Sequence, residues 1–124
     1  MATKLGLHDM KLHEFFSRRE FACKCGCGQD TIDAQLLEVL VDLRYRFHSP
    51  VIVNSGNRCI KHNMDVGGTQ YSYHLRSKAA DINVTGFAPK AVYKYLDEEY
   101  FNTFGIILYN TFVHIDVRES KYRK

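Results

Sequence analysis

The fold of this chain can be worked out from one segment, Ser72-Tyr-His-Leu-Arg-Ser-Lys-Ala-Ala-Asp-Ile-Asn-Val84. Its second half, residues 79–84, alternates as a half-buried β-strand does. Its first half ends a long turn-rich stretch that begins after residue 53, which predicts a loop. The segment therefore puts His74 in a loop and Asp81 on the strand that follows it.

Helices and strands are predicted on both sides of this strand. From residue 32 to about residue 47, apolar residues recur at helical spacing, which predicts the main amphipathic helix. The other predicted elements are a strand at 51–53, a short helix near 59–65, a helix over 88–100, and strands at 105–108 and 112–117. This order predicts an α+β fold, with residues 1–124 forming a single small domain in which helices flank an antiparallel sheet.

The two ends of the chain carry weaker patterns. Residues 11–22 predict an irregular segment that anchors its aromatic rings in the core: Phe15, Phe16 and Phe21. Asp30 or Thr31 is expected to cap the next helix. The basic end of the chain, residues 118–124, is typical of a solvated tail.

Charge and composition argue against several classes of function. The formal net charge is +3 and the basic residues are scattered except at the C-terminal end, which does not favour a nucleic-acid partner but suits an anionic one such as a bacterial cell wall. The first residues lack the apolar core and cleavage site of a signal peptide, and no apolar run reaches the roughly 18 residues of a membrane span. We therefore expect a protein made in the cytoplasm without an export signal.

Three of the four cysteines lie close together as Cys23-Lys-Cys25-Gly-Cys27, and the fourth is Cys59. Their C-x-C-x-C spacing differs from the paired C-x2-C spacing of structural zinc sites. Three interpretations stay open: free or partly buried thiols, a disulfide between Cys59 and one of the three, and a second metal site.

Three residues are candidate metal ligands. A catalytic zinc needs three His or carboxylate ligands and one open position. Two neighbouring antiparallel strands can aim Asp81 and His114 at one point, and the preceding loop can bring His74 across. Spacing alone does not establish the site, because two histidines and an aspartate at such separations occur often by chance.

The residues around these candidates resemble the M15 family of zinc D-Ala-D-Ala carboxypeptidases and endopeptidases. The segment from Ser72 to Asp81 is similar to the S-x-H-x-x-G-x-A-x-D signature, and Phe112-Val-His-Ile-Asp-Val-Arg118 resembles the H-x-D form of the last metal strand. Upstream, Ser55-Gly-Asn-Arg58 resembles S-G-Y-R, and is followed by His62-Asn63 and Val66-Gly-Gly68 as in close relatives. Residues 20–28 are similar to the first segment of the small phage and bacterial branch.

The resemblance runs from about residue 15 to residue 118, with the motifs in the family's order. It implies a hedgehog/D-Ala-D-Ala peptidase-like fold and a Zn²⁺ held by His74, Asp81 and His114. It also implies that Arg58 is a cation near the substrate carboxylate or the polarised carbonyl. Ser72 is expected to hydrogen-bond the loop or a ligand, and Tyr109 to line the cleft.

Three positions depart from the family's pattern. Ser77 and Ile107 stand where relatives usually have glycine, and Thr111 stands where many members carry a catalytic Glu or Asp. Asp116 is the nearest acidic substitute. It is expected either to act as the general base or to orient a ligand histidine.

The implied activity is zinc-assisted hydrolysis of peptide bonds in peptidoglycan stem peptides, by a carboxypeptidase or endopeptidase cut. Such an enzyme would act on the cell wall after release, as an endolysin does, or as part of a phage particle. One alternative is a non-catalytic zinc-containing module that binds the cell wall or serves as a virion component. Another is a nucleic-acid-binding protein whose metal site is the cysteine cluster.

Overall fold

The computed structural model describes residues 11–13, 15–69 and 71–124. Seven strands and three α-helices follow one another within these residues: β1 (Lys11–His13), β2 (Phe16–Ser17), α1 (Ala34–Phe47), β3 (Val51–Ser55), α2 (Ile60–Asp65), β4 (Ala79–Val84), α3 (Pro89–Glu99), β5 (Gly105–Leu108), β6 (Val113–Asp116) and β7 (Tyr122–Arg123). Two 3-10 helices, Arg18–Phe21 and Tyr73–Arg76, complete the set. The interpretation of the N-terminus as lacking a signal peptide concerns residues 1–10, which lie outside the described residues.

Five strands form the main sheet in the order β3-β4-β6-β5-β7. The first four pair antiparallel, as predicted, whereas β7 pairs parallel to β5. The α+β prediction is confirmed, but the sheet is mixed rather than wholly antiparallel. The expectation of a solvated tail is wrong for β7, because Arg123 bonds the side chain of Asp97 and the carbonyl oxygens of Tyr100, Thr103 and Phe104.

The main helix begins later than its sequence suggests. Asp33 is its N-cap, and its Oδ1 accepts hydrogen bonds from the backbone N–H groups of Gln35 and Leu36. The expected caps, Asp30 and Thr31, are wrong, because α1 starts only at Ala34 and an N-cap must directly precede the first turn. The helix ends at Phe47, and its C-cap His48 adopts the left-handed conformation with φ 52°.

One hydrophobic core joins the sheet to α1 and α3. The alternating side chains of β4 and β6 that face it are fully buried, and include Ala80, Ile82 and Ile115. The helices contribute apolar side chains at helical spacing, among them Leu40 and Leu96. Since α1 and α3 cover this face, the residues that alternate with it on β4 and β6 lie on the opposite face, which is free to form a cleft.

The N-terminal segment packs against the loop after β3. Phe16 and Phe21 are buried in the core, as predicted, and Phe15 is partly buried beside them. The backbone of Phe21 accepts a hydrogen bond from Asn57 N–H, and a Cβ at Gly56 would lie 2.8 Å from Phe21 Cα. Glycine at position 56 therefore allows this close approach.

In the part of the chain that the structure describes, no helix is both long enough and apolar enough to cross a bilayer.

Candidate metal centre and cleft

Two of the three candidate ligands are placed by strand register. Asp81 on β4 lies directly opposite His114 on β6. Because side chains alternate along a strand, both point away from the face that Ile82 and Ile115 bury. His114 Nδ1 lies 2.9 Å from Asp81 Oδ1.

The third candidate, His74, is carried by the 3-10 helix Tyr73–Arg76. Ser72 begins this helix, and its hydroxyl oxygen accepts a hydrogen bond of 3.2 Å from the His74 N–H. His74 Nδ1 lies 2.7 Å from the carbonyl oxygen of Gly56, and His74 Nε2 lies 3.3 Å from Asp81 Oδ1. A carbonyl oxygen only accepts, so in the neutral ring the proton sits on Nδ1 and Nε2 turns its lone pair to Asp81.

The three side chains fit a metal ion of the zinc type. One ligand atom from each lies within 4.8 Å of the other two, and all three residues are at most 9% exposed. Two ligands at about 2.1 Å from a tetrahedral zinc lie roughly 3.4 Å apart. The separations of 3.3 and 2.9 Å from Asp81 Oδ1 to the two histidine nitrogens are close to this value.

The electrostatics of the cluster also favour a cation. Burial raises the pKa of Asp81, but the hydrogen bonds that His114 and His74 donate when their rings are protonated outweigh burial and hold that pKa below its ordinary value. Burial lowers the pKa of His114, and its bonds to Asp116 and Asp81 outweigh that effect and raise it. Two histidine nitrogens thus face one carboxylate oxygen, and either a proton or a metal ion must lie between them.

Asp116 holds the far side of the His114 ring. It is fully buried, and its Oδ2 lies 2.8 Å from His114 Nε2. Arg118 donates to both carboxylate oxygens at 2.7 Å through Nε and Nη2. Burial raises the pKa of Asp116, but the bonds from Arg118 and His114 outweigh it and lower the pKa to about 2. Asp116 is therefore an anion that accepts a hydrogen bond from His114 Nε2.

No motif in the sequence predicts the contacts that support this ion pair. The Arg118 guanidinium lies between two rings, 4.6 Å from the centroid of Tyr73 and 4.5 Å from that of Tyr122. A Cβ at Gly105 would come within 2.5 Å of Arg118 Nε and Asp116 Oδ2. Gly105 lies opposite Asp116 in the pairing of β5 with β6. This pairing would have indicated the close contact, but the sequence alone does not give the strand register.

Arg58 lies beside the cluster of His74, Asp81 and His114. Its guanidinium lies 3.5 Å from Asp81 Oδ2, 3.3 Å from the side-chain oxygen of Asn63 and 3.4 Å from the Ser55 hydroxyl. Asn63 is buried and also donates to the carbonyl oxygen of Thr69. A Cβ at Gly68 would lie 2.1 Å from this Asn63 oxygen, which accounts for the glycine there.

The cluster opens into a cleft of about 580 Å³. His74, Asp81 and His114 line it together with Arg58 and four tyrosines: Tyr71, Tyr73, Tyr109 and Tyr122. Tyr109 is 45% exposed and stacks on Phe112 with ring centroids 4.5 Å apart. The structure thus brings every candidate site residue except Asp116 to the cleft wall. The Ser72 hydroxyl also caps the 3-10 helix that carries His74.

A family model described as Peptidase M15 matches residues 14–116. The chain belongs to the M15 peptidase family. Comparison with curated proteins gave no match. Peptidases of the M15 family depend on a metal ion, and this chain brings a His2Asp donor set together at the bottom of its cleft.

The three departures from the M15 pattern have different structural consequences. Ser77 adopts φ 60°, a conformation that suits the usual glycine, and its hydroxyl bonds Thr31 Oγ1 and Asn57 Nδ2 at 2.6 Å. Ile107 lies opposite His114 and lines the cleft. Thr111 is exposed at the turn before β6, and its carbonyl oxygen accepts a bond from Asn83.

Proposed function

We propose that this chain is a zinc metallopeptidase that hydrolyses peptide bonds in peptidoglycan stem peptides. The observation that carries the proposal is the convergence of His74, Asp81 and His114 on one point at the bottom of an open cleft. These three residues would hold Zn²⁺. The bound ion would supply Lewis-acid chemistry, lowering the pKa of a water molecule and polarising a carbonyl group.

The surrounding residues fix the two histidines in the form that binds a metal. The Gly56 carbonyl keeps the proton of His74 on Nδ1, and Asp116 keeps the proton of His114 on Nε2. With an ion beside Asp81, each ring would therefore direct a lone pair at that ion. The hydrogen bonds orient both rings, and the ion would take the place of the proton between His114 Nδ1 and Asp81.

Asp116 acts by orienting His114 rather than as the general base. Its carboxylate is fully buried, and both of its oxygens are engaged by Arg118 and His114. A general base has to reach the proton that it removes, directly or through one water. A carboxylate without solvent exposure and with both oxygens bonded is poorly placed for that task.

The substrate is bound by the remaining residues of the cleft wall. Arg58 provides a cation for a substrate carboxylate or for the carbonyl oxygen as it gains charge. Tyr109 offers an exposed ring at the cleft edge, and Ser72 holds the loop that carries His74. With Zn²⁺ bound, Arg58 and Arg118 together with the ion outweigh Asp81 and Asp116, so the cleft favours anionic peptides such as stem peptides.

Both a carboxypeptidase and an endopeptidase cut suit an open cleft with a cation at its wall. The resemblance of residues 20–28 to the small phage branch supports action as a phage lytic enzyme. Such an enzyme would reach the wall after release from the cell or as part of the phage particle.

One observation favours a second candidate, a non-catalytic zinc-containing module that binds the cell wall or belongs to a virion. Among the cleft-lining residues in the described part of the chain, Asp81 is the one carboxylate. Thr111 replaces the acidic residue that many family members carry. A chain that keeps the metal site without a competent base would bind stem peptides and leave them intact.

Mass spectrometry of muropeptides incubated with the zinc-loaded protein separates the two candidates. New peptide fragments or released D-Ala are expected with the wild-type chain and are expected to disappear with His114→Ala. His48→Asn is the matched control, because it changes an exposed histidine at the end of α1. Zinc binding with every muropeptide left intact would rule out the peptidase and favour the binding module.

A further inference from the structure

A second set of metal-ligating side chains lies outside the cleft. Cys23, Cys25 and Cys27 come from the loop before α1, and Cys59 is the N-cap of α2. The four sulfur atoms all lie within 4.8 Å of one another. Cys59 lies at least 32 positions from each of the other three in the sequence, so the fold brings two distant segments to one point.

The sulfur separations match a tetrahedral site better than a disulfide. Cys23 Sγ lies 3.5 Å from Cys25 Sγ and 3.8 Å from Cys59 Sγ, and the latter two are 3.6 Å apart. Two thiolates bound to one zinc at about 2.3 Å lie roughly 3.8 Å apart. A disulfide would join one pair at about 2.05 Å and would leave the other two sulfurs outside.

Two glycines let the loop turn tightly enough for the closely spaced cysteines of the C-x-C-x-C segment to share one metal site. Gly26 and Gly28 adopt φ 84° and 94°, a left-handed conformation that side chains disfavour. The loop is closed by Cys23 N–H donating to the Gln29 carbonyl at 2.7 Å and by Gly26 N–H donating to the Cys23 carbonyl at 3.2 Å. These turns bring three thiols from five consecutive residues to one side.

Backbone donors stabilise thiolates in the cluster. Cys59 N–H donates to Cys23 Sγ at 3.4 Å, and His62 N–H donates to Cys59 Sγ at 3.4 Å. Thiolates as close as Cys23 Sγ and Cys25 Sγ, 3.5 Å apart, repel each other unless a cation lies between them.

We propose that Cys23, Cys25, Cys27 and Cys59 bind a structural Zn²⁺ as four thiolates. Four protein ligands close such a site, whereas the three ligands of the cleft leave a position open. The metal ties the N-terminal loop to the start of α2. Because Cys59 follows Arg58 directly, the same tie holds the segment from which Arg58 reaches Asp81.

Metal content of the full-length chain, purified under reducing conditions, gives the first test. Two zinc ions per chain are expected for the wild type, and one each for Cys25→Ser and His74→Ala. Cys25 is suited to substitution because it is exposed. Lys24→Ala is the matched control in the same loop and is expected to retain both ions.

Cobalt substitution identifies the ligands independently of any hydrolytic activity. The His74→Ala protein loaded with Co²⁺ is expected to show thiolate-to-cobalt charge-transfer absorption, which adding Cys25→Ser removes. Absence of that absorption in the His74→Ala protein would overturn the proposal. This readout is unaffected if the protein proves not to be a peptidase.

A cysteine variant that fails to fold would lose its metal for a trivial reason, so the wild-type chain supplies a second measurement. Zinc is expected to slow modification of all four thiols by an alkylating reagent at least tenfold. Equal rates with and without zinc would contradict the site. So would an intact mass that lacks two hydrogens, since it would reveal a disulfide.

Discussion

Replacing Asp116 by Asn tests whether this residue orients His114 or transfers a proton. The substitution keeps the shape of the side chain and removes its charge. In the wild type the carboxylate accepts from Arg118 Nε, Arg118 Nη2 and His114 Nε2. An amide has one acceptor oxygen and one NH2 group that only donates. At least one N–H group of Arg118 or His114 would therefore face the NH2 group of the substituted side chain and lose its hydrogen bond.

The magnitude of this change follows from the buried bonds. A hydrogen bond to a charged group contributes about 1.5–3 kcal/mol, so Asp116→Asn is expected to lower the free energy of unfolding by about 3 kcal/mol. Loss of a partner that orients a metal ligand typically weakens metal binding about 10- to 100-fold. A general base contributes roughly 10²- to 10⁴-fold to the rate instead.

The assay measures zinc affinity by competition with a coloured chelator, and kcat on muropeptides at saturating zinc. We expect weaker zinc binding and a kcat that returns to within about tenfold of the wild type once zinc saturates. Asp97→Asn is the matched control, since Asp97 bonds Arg123 Nε at 2.7 Å from a half-exposed position away from the cleft. Unchanged zinc affinity together with a kcat lowered more than about 100-fold would refute the orienting role.

Three further substitutions test the cleft and its supports. Gly105→Ala places a Cβ within 2.5 Å of the Arg118–Asp116 pair. We expect urea unfolding to show a free energy of unfolding lower by about 1–3 kcal/mol, and chelator competition to show weaker zinc binding. Ser77→Gly and Ser77→Ala lose the same two hydroxyl bonds, but only alanine keeps a Cβ at φ 60°, so the Gly variant is expected to be more stable by about 1 kcal/mol. Thr111→Glu restores the family's carboxylate and is expected to raise kcat about tenfold or more, whereas Asn110→Glu, one residue away, is not.

Each of these expectations has an outcome that contradicts it. A Gly105→Ala protein with wild-type stability and zinc affinity would mean that the ion pair has room for a methyl group. Equal stability of the two Ser77 variants would mean that the left-handed backbone carries no strain. A kcat for Thr111→Glu no higher than that of Asn110→Glu would mean that a missing base does not limit the rate.

The elements with local hydrophobic patterns could be predicted from the sequence. The period of α1 and the alternation of β4 are encoded by consecutive residues, and both were located to within two residues. The strand β7 could not be predicted, because its two residues carry no alternation. It is held by the distant contacts of Arg123 with Asp97 and with three carbonyl oxygens.

The same distinction between local patterns and distant contacts applies to the candidate site. The candidate ligands lie in motifs that can be read along the chain, whereas their supports depend on contacts between segments. That Gly105 lies under the pair formed by Asp116 and Arg118 follows only from the pairing of β5 with β6. The sequence also left the role of Cys59 open, since nothing in its neighbourhood indicates that it meets a loop 32 or more residues away.

The residues that fix the cleft geometry include hydrophobic ones that never touch it. Ala80, Ile82 and Ile115 alternate with Asp81 and His114 and are fully buried against the helices. A slip of one residue between β4 and the sheet would turn apolar side chains into the cleft and drive a carboxylate into the core, which is strongly unfavourable. The core pattern therefore selects the register, and the register puts Asp81 opposite His114. The metal centre is thus positioned by the same alternation that folds the sheet.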